Sequence, residues 1–501
     1  MSPNITLSWV LALAPEIALV VMLFFILIYE RLFKPTDPRR LGMFTAWGAL
    51  AVLLLTVGLY WLFQQPNAEW SLAESTFWGG MMRNDLVTLV FRIMFLFALA
   101  LTALLSLDVP RLQKIEYYAL LVTATIGFSL MAAAADLIMV YVALETASIS
   151  SYLLAGFYSG ERRSSEAGMK YFIYGAFTTA VMLYGMSLVY GVTGQTNLYL
   201  IGSTFAGAPS LETVQPLLLL AAVLIVVGFA FKTSIVPYHF WAPDAYEGAP
   251  TPFTGFLSTA SKAAGFAVFL RVFLAGVLGP AQSGASAPEW WAMLVAMCII
   301  TMILGNFAAI FQSNIKRLLA YSSVAQAGYA LIGLVTLSQD GSGATMFYLL
   351  MYIFTNVAAF GVVVLVSNVT KSDDLKDLSG LNRRSPFLAL IMLLAVLSLG
   401  GIPPTAGFFG KFFIFKAAID AGLWWLAGIG ILMAFVGLYY YLSIIKYMYL
   451  YRSDEDDVAI PVSRGAQIGL VIAALGILYL GIQAGPAFEL TRQAAAAFFS
   501  G

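Results

Sequence analysis

Apolar runs of membrane-spanning length recur from one end of this chain to the other. They leave little room for any fold but a bundle of helices in a bilayer. A spanning helix needs roughly 20 predominantly apolar residues. Divided at its polar and Gly/Pro clusters, the 501-residue sequence gives fourteen such segments. They start near residues 8, 42, 84, 117, 135, 168, 215, 252, 289, 317, 343, 386, 423 and 465. The fourth and fifth are separated only by AAAADL, and the seventh and twelfth contain prolines. Charged residues are 10% of the chain, against about 25% in soluble domains. The expected class is an all-α polytopic membrane protein of about fourteen transmembrane helices.

The N-terminal stretch MSPNITLSWVLALAPEIALVVMLFFILIYERLFK lacks the basic start of a signal peptide, so a retained first helix is expected. Of the 26 Lys and Arg residues, six fall inside apolar segments: Arg92, Lys232, Lys262, Arg271, Lys411 and Lys416. With the connections numbered alternately from an outside N-terminus, only Arg83 and Arg492 of the others lie outside. That bias follows the positive-inside rule and predicts both termini on the non-cytoplasmic face.

Several chemistries are excluded. The net charge is zero and gives no basis for nucleic-acid binding. The single cysteine, Cys298, rules out an internal disulfide or a Cys-ligated cluster within the chain, and reads as a small buried hydrophobe. The single histidine, His239, rules out bis-histidine haem ligation. GSGATM at 341 lacks the third glycine of a dinucleotide fingerprint and follows no βαβ strand. No cofactor or metal site is expected in this chain.

What remains are charges in apolar surroundings. A charged residue at a helix centre costs about 2.5–3.5 kcal/mol on insertion scales. Glu145, Lys232, Lys262 and Lys411 together then cost on the order of 10 kcal/mol unless paired or hydrated. Three lysines against one glutamate exceed what structural pairing needs, so the set reads as a proton or ion path. Burial favours a neutral amine and a nearby carboxylate favours an ammonium, so a lysine between the two can load and unload a proton. Arg92, Arg271 and Lys416 read as interfacial or structurally paired. Glu16, in APEIAL, reads as interfacial, Asp244 as a helix cap, and DLKDLSGLNRRSP and SDEDD at 453 as solvated loops. His239 is either a relay or a satisfied loop histidine.

Helix breaks accompany two of the lysines. Lys232 lies five residues before Pro237, and Gly400, Gly401, Pro403 and Pro404 precede Lys411. Proline cannot donate to a helix ladder, and the freed backbone groups must find protein or water. Breaks in the seventh and twelfth segments suggest two five-helix repeats, 117–280 and 281–450, inverted because the offset is odd. An N-terminal unit of three helices (1–116) and a C-terminal loop and helix (451–501) flank them.

VYVALETASISSYLLAGF, FKTSIVPYHFWAPDAYEGAPTPFTGFLSTASKAAGF, RLLAYSSVAQAGYALIG and GIPPTAGFFGKFFIFKAA resemble the antiporter-like membrane subunits of respiratory complex I. A related subunit of the chloroplast complex is similar. Lys262 stands where the L type usually has histidine, and Lys411 where the M type usually has glutamate, which places the resemblance with the N type. It implies that Glu145 and Lys232 form a pair whose opening and closing gates proton movement. Lys262 is then the central lysine, and Lys411 lies near the exit or the next subunit. Gln326 stands where many relatives have histidine. Glutamine cannot titrate, so a relay there would use water or a hydroxyl such as Ser322 or Ser323.

The resemblance also implies that FMN, iron–sulfur clusters and quinone belong to partner subunits. Those partners are the M, L, K, J, A and H types and a peripheral redox arm, in a bacterial plasma membrane. Three other classes stay open: a subunit of a cation/proton antiporter or membrane-bound hydrogenase, an independent transporter, and a structural spacer.

Overall fold

The computed structural model describes residues 7–33, 37, 39–63, 76–207, 215–277, 289–452 and 459–499. Lys34 and the SDEDD stretch at 453 lie outside them. Within the described residues the chain is a helical bundle. It begins with α1 (Leu7–Ala12), α2 (Ala14–Phe33) and α3 (Arg39–Phe63). A short hairpin, β1 (Thr76–Phe77) and β2 (Met82–Arg83), leads into α4 (Leu86–Ser106). Next come α5 (Ile115–Ala133), α6 (Leu137–Ala155), α7 (Arg162–Thr193), α8 (Leu198–Gly207), α9 (Gln215–Thr233) and α10 (Trp241–Gly248). A rod from Thr251 to Gly276 then combines α11 (Thr251–Phe256) and α12 (Lys262–Leu270), each followed by a π-helical segment. The rest is α13 (Glu289–Ile310), α14 (Ile315–Val335), α15 (Gln339–Thr370), α16 (Leu381–Arg384), α17 (Pro386–Gly400), α18 (Ala406–Asp420), α19 (Trp424–Leu450), α20 (Arg464–Ile482) and α21 (Ala484–Ala495).

Side-chain caps set several of the starts. Asp136 accepts from Ile138 N at 2.8 Å and opens α6, so AAAADL does separate two helices. Asn314 accepts from Lys316 N and Arg317 N to open α14. Ser385, with Pro386 in the first turn, opens α17. Such caps take up backbone donors that have no partner within the helix.

Twelve helices among the described residues are long and apolar enough to cross a membrane. The expected fourteen is reached only by adding α2 and α17, whose apolar stretches are shorter. The reason for α17 is physical: a break after Gly400 divides its apolar run between α17 and α18. The Thr251–Gly276 rod and α15 are almost wholly buried and form the centre. The outer helices turn large apolar side chains outward, among them Leu54, Phe177, Phe435 and Leu450. Contiguous apolar exterior of this kind suits contact with lipid or another membrane protein rather than water.

Three of the six cations in apolar segments are structurally paired. The Arg271 guanidinium donates to both Asp85 oxygens at 2.9 and 3.0 Å, and also to Tyr199 Oη, Thr88 Oγ1 and the Ala132 carbonyl. Arg92 donates to both oxygens of Glu16 at 2.9 and 3.0 Å, and to Asn84. Glu16 is thus a buried partner, not an interfacial carboxylate. Lys416 pairs with Asp420 one turn along the exposed face of α18. Removing one member of a buried pair leaves an uncompensated charge and costs about 3–5 kcal/mol. Arg271→Met is therefore expected to lower the thermal unfolding midpoint of the detergent-purified protein strongly. The double variant Arg271→Met/Asp85→Leu should recover part of the loss.

Candidate functional site

The polar axis is built around two places where a helix stops partway along its apolar run. At the first, α9 ends at Thr233 and the chain turns through Ser234, at φ 61°, and Pro237 before α10. The loosened backbone finds partners in protein. Val236 N donates to Thr301 Oγ1 at 3.0 Å, and Trp241 Nε1 donates to the Phe231 carbonyl at 3.1 Å. Lys232 sits on the last turn of α9 and is buried.

At the second break, α17 ends at Gly400, and the residue that caps it, Gly401, adopts the left-handed conformation at φ 83°. Pro403 and Pro404 form the turn, and Ser398 Oγ accepts from Gly407 N at the start of α18. Lys411 on α18 reaches back to this helix end. Its ammonium donates to the Leu399 and Gly400 carbonyls at 2.8 and 3.0 Å. The last carbonyls of a helix have no partner within it, and the dipole places partial negative charge there. Lys411 supplies the missing donor and the matching charge. It also borders a largely apolar cavity of about 480 Å³.

Lys262 lies between the two breaks, directly after the π-helical turn Leu257–Ser261. Its ammonium donates to Ser323 Oγ at 2.6 Å and to the Ser323 carbonyl. The π turn leaves the Gly255 carbonyl to accept from the Ser258 and Thr259 hydroxyls, both at 2.8 Å. π-Helical turns are frequent at functional positions. At Gly265, one turn on from Lys262, an added Cβ would lie 3.2 Å from Lys232 Cγ. The helices carrying Lys232 and Lys262 are therefore in direct contact.

Ser323, Ser322 and Gln326 share α14 and face this axis. Ser322 Oγ lies 2.5 Å from Tyr441 Oη. Gln326 Nε2 donates to Tyr441 Oη at 2.9 Å and to the Leu399 carbonyl at 3.3 Å. Leu399 is the carbonyl that Lys411 also holds. Polar contacts thus link Lys262 to Ser323, and Ser322 to Tyr441 and Gln326; Gln326 and Lys411 meet only through the Leu399 carbonyl that both donate to, and the adjacent serines are not bonded to each other.

The first half of the axis is looser. Glu145 and Lys232 form no ion pair. The Lys232 ammonium instead donates to Ser148 Oγ at 3.0 Å, three residues on from Glu145 along α6. Glu145 Oε1, Tyr152 Oη, Tyr171 Oη and Ser261 Oγ are buried without a hydrogen-bond partner in the protein. His239 is buried in the first break with Nδ1 unpartnered. No hydrogen bond joins it to the lysines.

Asp244 is not a helix cap. α10 starts at Trp241, and its N-cap residue, Phe240, makes no side-chain cap. Asp244 instead pairs with Lys170 at 2.5 Å and with Arg317 at 2.7 Å, and Glu247 pairs with Arg317 at 2.9 Å and Arg163 at 3.7 Å. The cations come from α7 and α14, far off in sequence, so the local sequence carried no sign of them. Lys316 adds a clamp, donating to the Glu247 and Ala249 carbonyls at 2.6 and 2.9 Å. Sequence reasoning also missed Ser148 and Tyr441. The available signal was the hydroxyl itself, since tyrosines in an apolar span such as GLYYYLS need partners when buried. Among the described residues, no group of three His, Cys, Asp or Glu is placed to hold a metal ion.

Leaving the Lys316 contacts unmade exposes carbonyls that have no other donor, at about 1–3 kcal/mol. Lys316→Met is expected to lower the thermal midpoint of the purified protein accordingly. It should also raise hydrogen exchange in α10 ahead of the rest of the bundle.

The family model for the membrane domain of NADH:quinone oxidoreductase and Mrp antiporter subunits matches residues 134–437. That range includes Glu145, Lys232, Lys262 and Lys411. NADH-quinone oxidoreductase subunit N of Moorella thermoacetica is 46% identical over 412 residues, covering 82% of this chain and 84% of that one. NAD(P)H-quinone oxidoreductase subunit 2 of Synechocystis sp. is 38% identical, with 95% and 91% covered. A chain of respiratory complex I from Thermus thermophilus superposes with a TM-score of 0.78 at 32% identity, covering 95% of this chain and 98% of that one. The chain belongs to the NADH:quinone oxidoreductase/Mrp antiporter family of membrane subunits, with the N subunits of NADH-quinone oxidoreductase among its relatives.

Proposed function

We propose that this chain carries protons across the membrane as the N-type, antiporter-like subunit of a complex I type NADH-quinone oxidoreductase. The observation that carries the reading is the excess of buried ammonium groups. Lys232, Lys262 and Lys411 are all buried, and none of them has a carboxylate in ion-pair contact. Arg92 and Arg271 each have one. An amine held by hydroxyls and carbonyls alone keeps a partner for its proton in either charge state. That is what a proton carrier needs and a structural pair does not.

In this reading Glu145 moves between contact with Lys232 and separation from it. Contact holds the ammonium, and separation lets the proton go. A change of one pKa unit corresponds to about 1.4 kcal/mol. Protons then pass along Lys262 to Lys411. His239 sits off this line and is a side branch at most. The helices of 117–280 and 281–450 act as two inverted repeats, each holding one broken helix.

Redox chemistry takes place on partner chains that hold FMN, iron–sulfur clusters and quinone. The neighbours are subunits of the M, L, K, J, A and H types in a bacterial plasma membrane, and both termini lie on the non-cytoplasmic side. The family description also names the Mrp antiporter, so a cation/proton antiporter subunit is the second reading. The identity of 46% to a curated N subunit favours the first.

The test starts from mild solubilisation of native membranes through a tag on this chain. Co-purification of flavin, iron–sulfur and quinone-reducing subunits is expected. Recovery of antiporter subunits alone would favour the second reading. In the recovered complex Lys262→Met should leave assembly intact and lower proton-coupled quinone reduction by roughly tenfold or more, since a positioned proton-transfer group contributes 10²–10⁴-fold. Full coupled activity in that variant would overturn the proposed path.

A further inference from the structure

We infer that Tyr441, on α19, is the relay hydroxyl between Lys262 and Lys411, and that Gln326 is the positioning amide that sets the direction of its proton. This rests on the proton-carrying reading of the lysines.

The hydrogen-bond geometry fixes the amide. The Leu399 carbonyl can only accept, so the Gln326 atom facing it at 3.3 Å is the Nε2 donor. Gln326 Oε1 then accepts from the Tyr348 hydroxyl. Nε2 also donates to Tyr441 Oη at 2.9 Å. Tyr441 accepts there, so its own proton is free to point to Ser322 Oγ, 2.5 Å away. Ser322 in turn keeps a proton for the Lys262 side, where Ser323 Oγ holds the ammonium. A glutamine at 326 does not interrupt the path under this arrangement. It orients a hydroxyl that comes from another helix and does the transfer. Tyr441 and Gln326 are both buried, so bulk water does not short-circuit the step.

The transfer balances. The Lys411 ammonium gives a proton to a water molecule beside it, that water gives one of its own to Tyr441 oxygen, and the Tyr441 proton passes to Ser322 oxygen. The Ser322 proton moves on through water or Ser323 to Lys262 in its neutral amine form, so that Lys411 ends as the amine and Lys262 as the ammonium. Each hydroxyl ends with one proton, and rotation about the C–O bonds restores the starting orientation. The reverse sequence carries a proton the other way. No group is oxidised or reduced.

The test uses the intact complex in native-membrane vesicles, with quinone reduction and proton uptake measured together. Tyr441→Phe is expected to assemble and to lower proton transfer through this subunit by roughly tenfold. That is below the 10²–10⁴-fold of a positioned proton-transfer group, because water replaces the hydroxyl in part. Adding Gln326→His, which places a titratable imidazole beside the vacated position, should restore transfer, and a packing role for Tyr441 would not be rescued in this way. Ser322→Ala keeps the tyrosine ring and should reproduce the loss if Tyr441→Phe does not assemble. Lys262→Met is the reference. Loss in Lys262→Met with unchanged coupling in both Tyr441→Phe and Ser322→Ala overturns the relay alone. An assembled Tyr441→Phe/Gln326→His complex that stays impaired also overturns it. Unchanged coupling in Lys262→Met overturns the proton path as a whole.

Discussion

A backbone amide or carbonyl freed inside an apolar bundle must find a partner in the protein or in trapped water, and this requirement shapes the whole axis. The two helix breaks free such groups next to Lys232 and Lys411. At the first break Thr301 and Trp241 fill the role. At the second, Ser398 and the ammonium of Lys411 do so. A lysine that completes the end of a helix is held by dipoles rather than by a carboxylate. It can therefore lose its proton without leaving a buried anion behind. The break and the buried amine explain each other: the carbonyls stabilise the charge, and the charge satisfies the carbonyls.

The contrast with the arginines clarifies the division of labour. Arg92 and Arg271 each meet a carboxylate with two hydrogen bonds. Such fork-like pairs fix geometry and stay charged. They tie the N-terminal helices and the end of the central rod to the rest of the bundle. The lysines of the axis have softer partners: Ser148, Ser323 and two carbonyls. One set of cations is locked into carboxylate pairs, and the other is held by neutral groups alone.

The central rod brings these parts together. It is buried along nearly its whole length and carries Lys262 just after one π-helical turn and Arg271 at the start of another. Its close contact with α9 at Gly265 sets Lys232 against one side. The Lys262 ammonium meets α14 on the other. A bulkier residue at 265 would press on Thr233 and the Lys232 side chain and push the two helices apart.

Length and apolarity of the runs, the bias of the basic residues, the prolines and the four charges in apolar segments were all legible in the sequence. They suffice for a membrane bundle with two broken helices and a buried cationic axis, because bilayer thickness and the cost of buried charge act on each segment separately. Partnership was not legible, since a hydrogen bond or ion pair joins residues that only packing brings together. Asp244 looked like a cap until Lys170 and Arg317 arrived from two other helices. Glu16 looked interfacial until Arg92 met it 76 residues along the chain. Glu145 and Lys232 read as a pair that opens and closes, and in the structure Lys232 donates to Ser148 with no ion pair to Glu145. Gln326 looked like a gap in a relay, and tertiary structure set Tyr441 against it from a helix more than a hundred residues away. The sequence by itself determined which groups are costly to bury in an apolar span, and the tertiary structure alone decided which of them meet a carboxylate and which are held by hydroxyls and carbonyls.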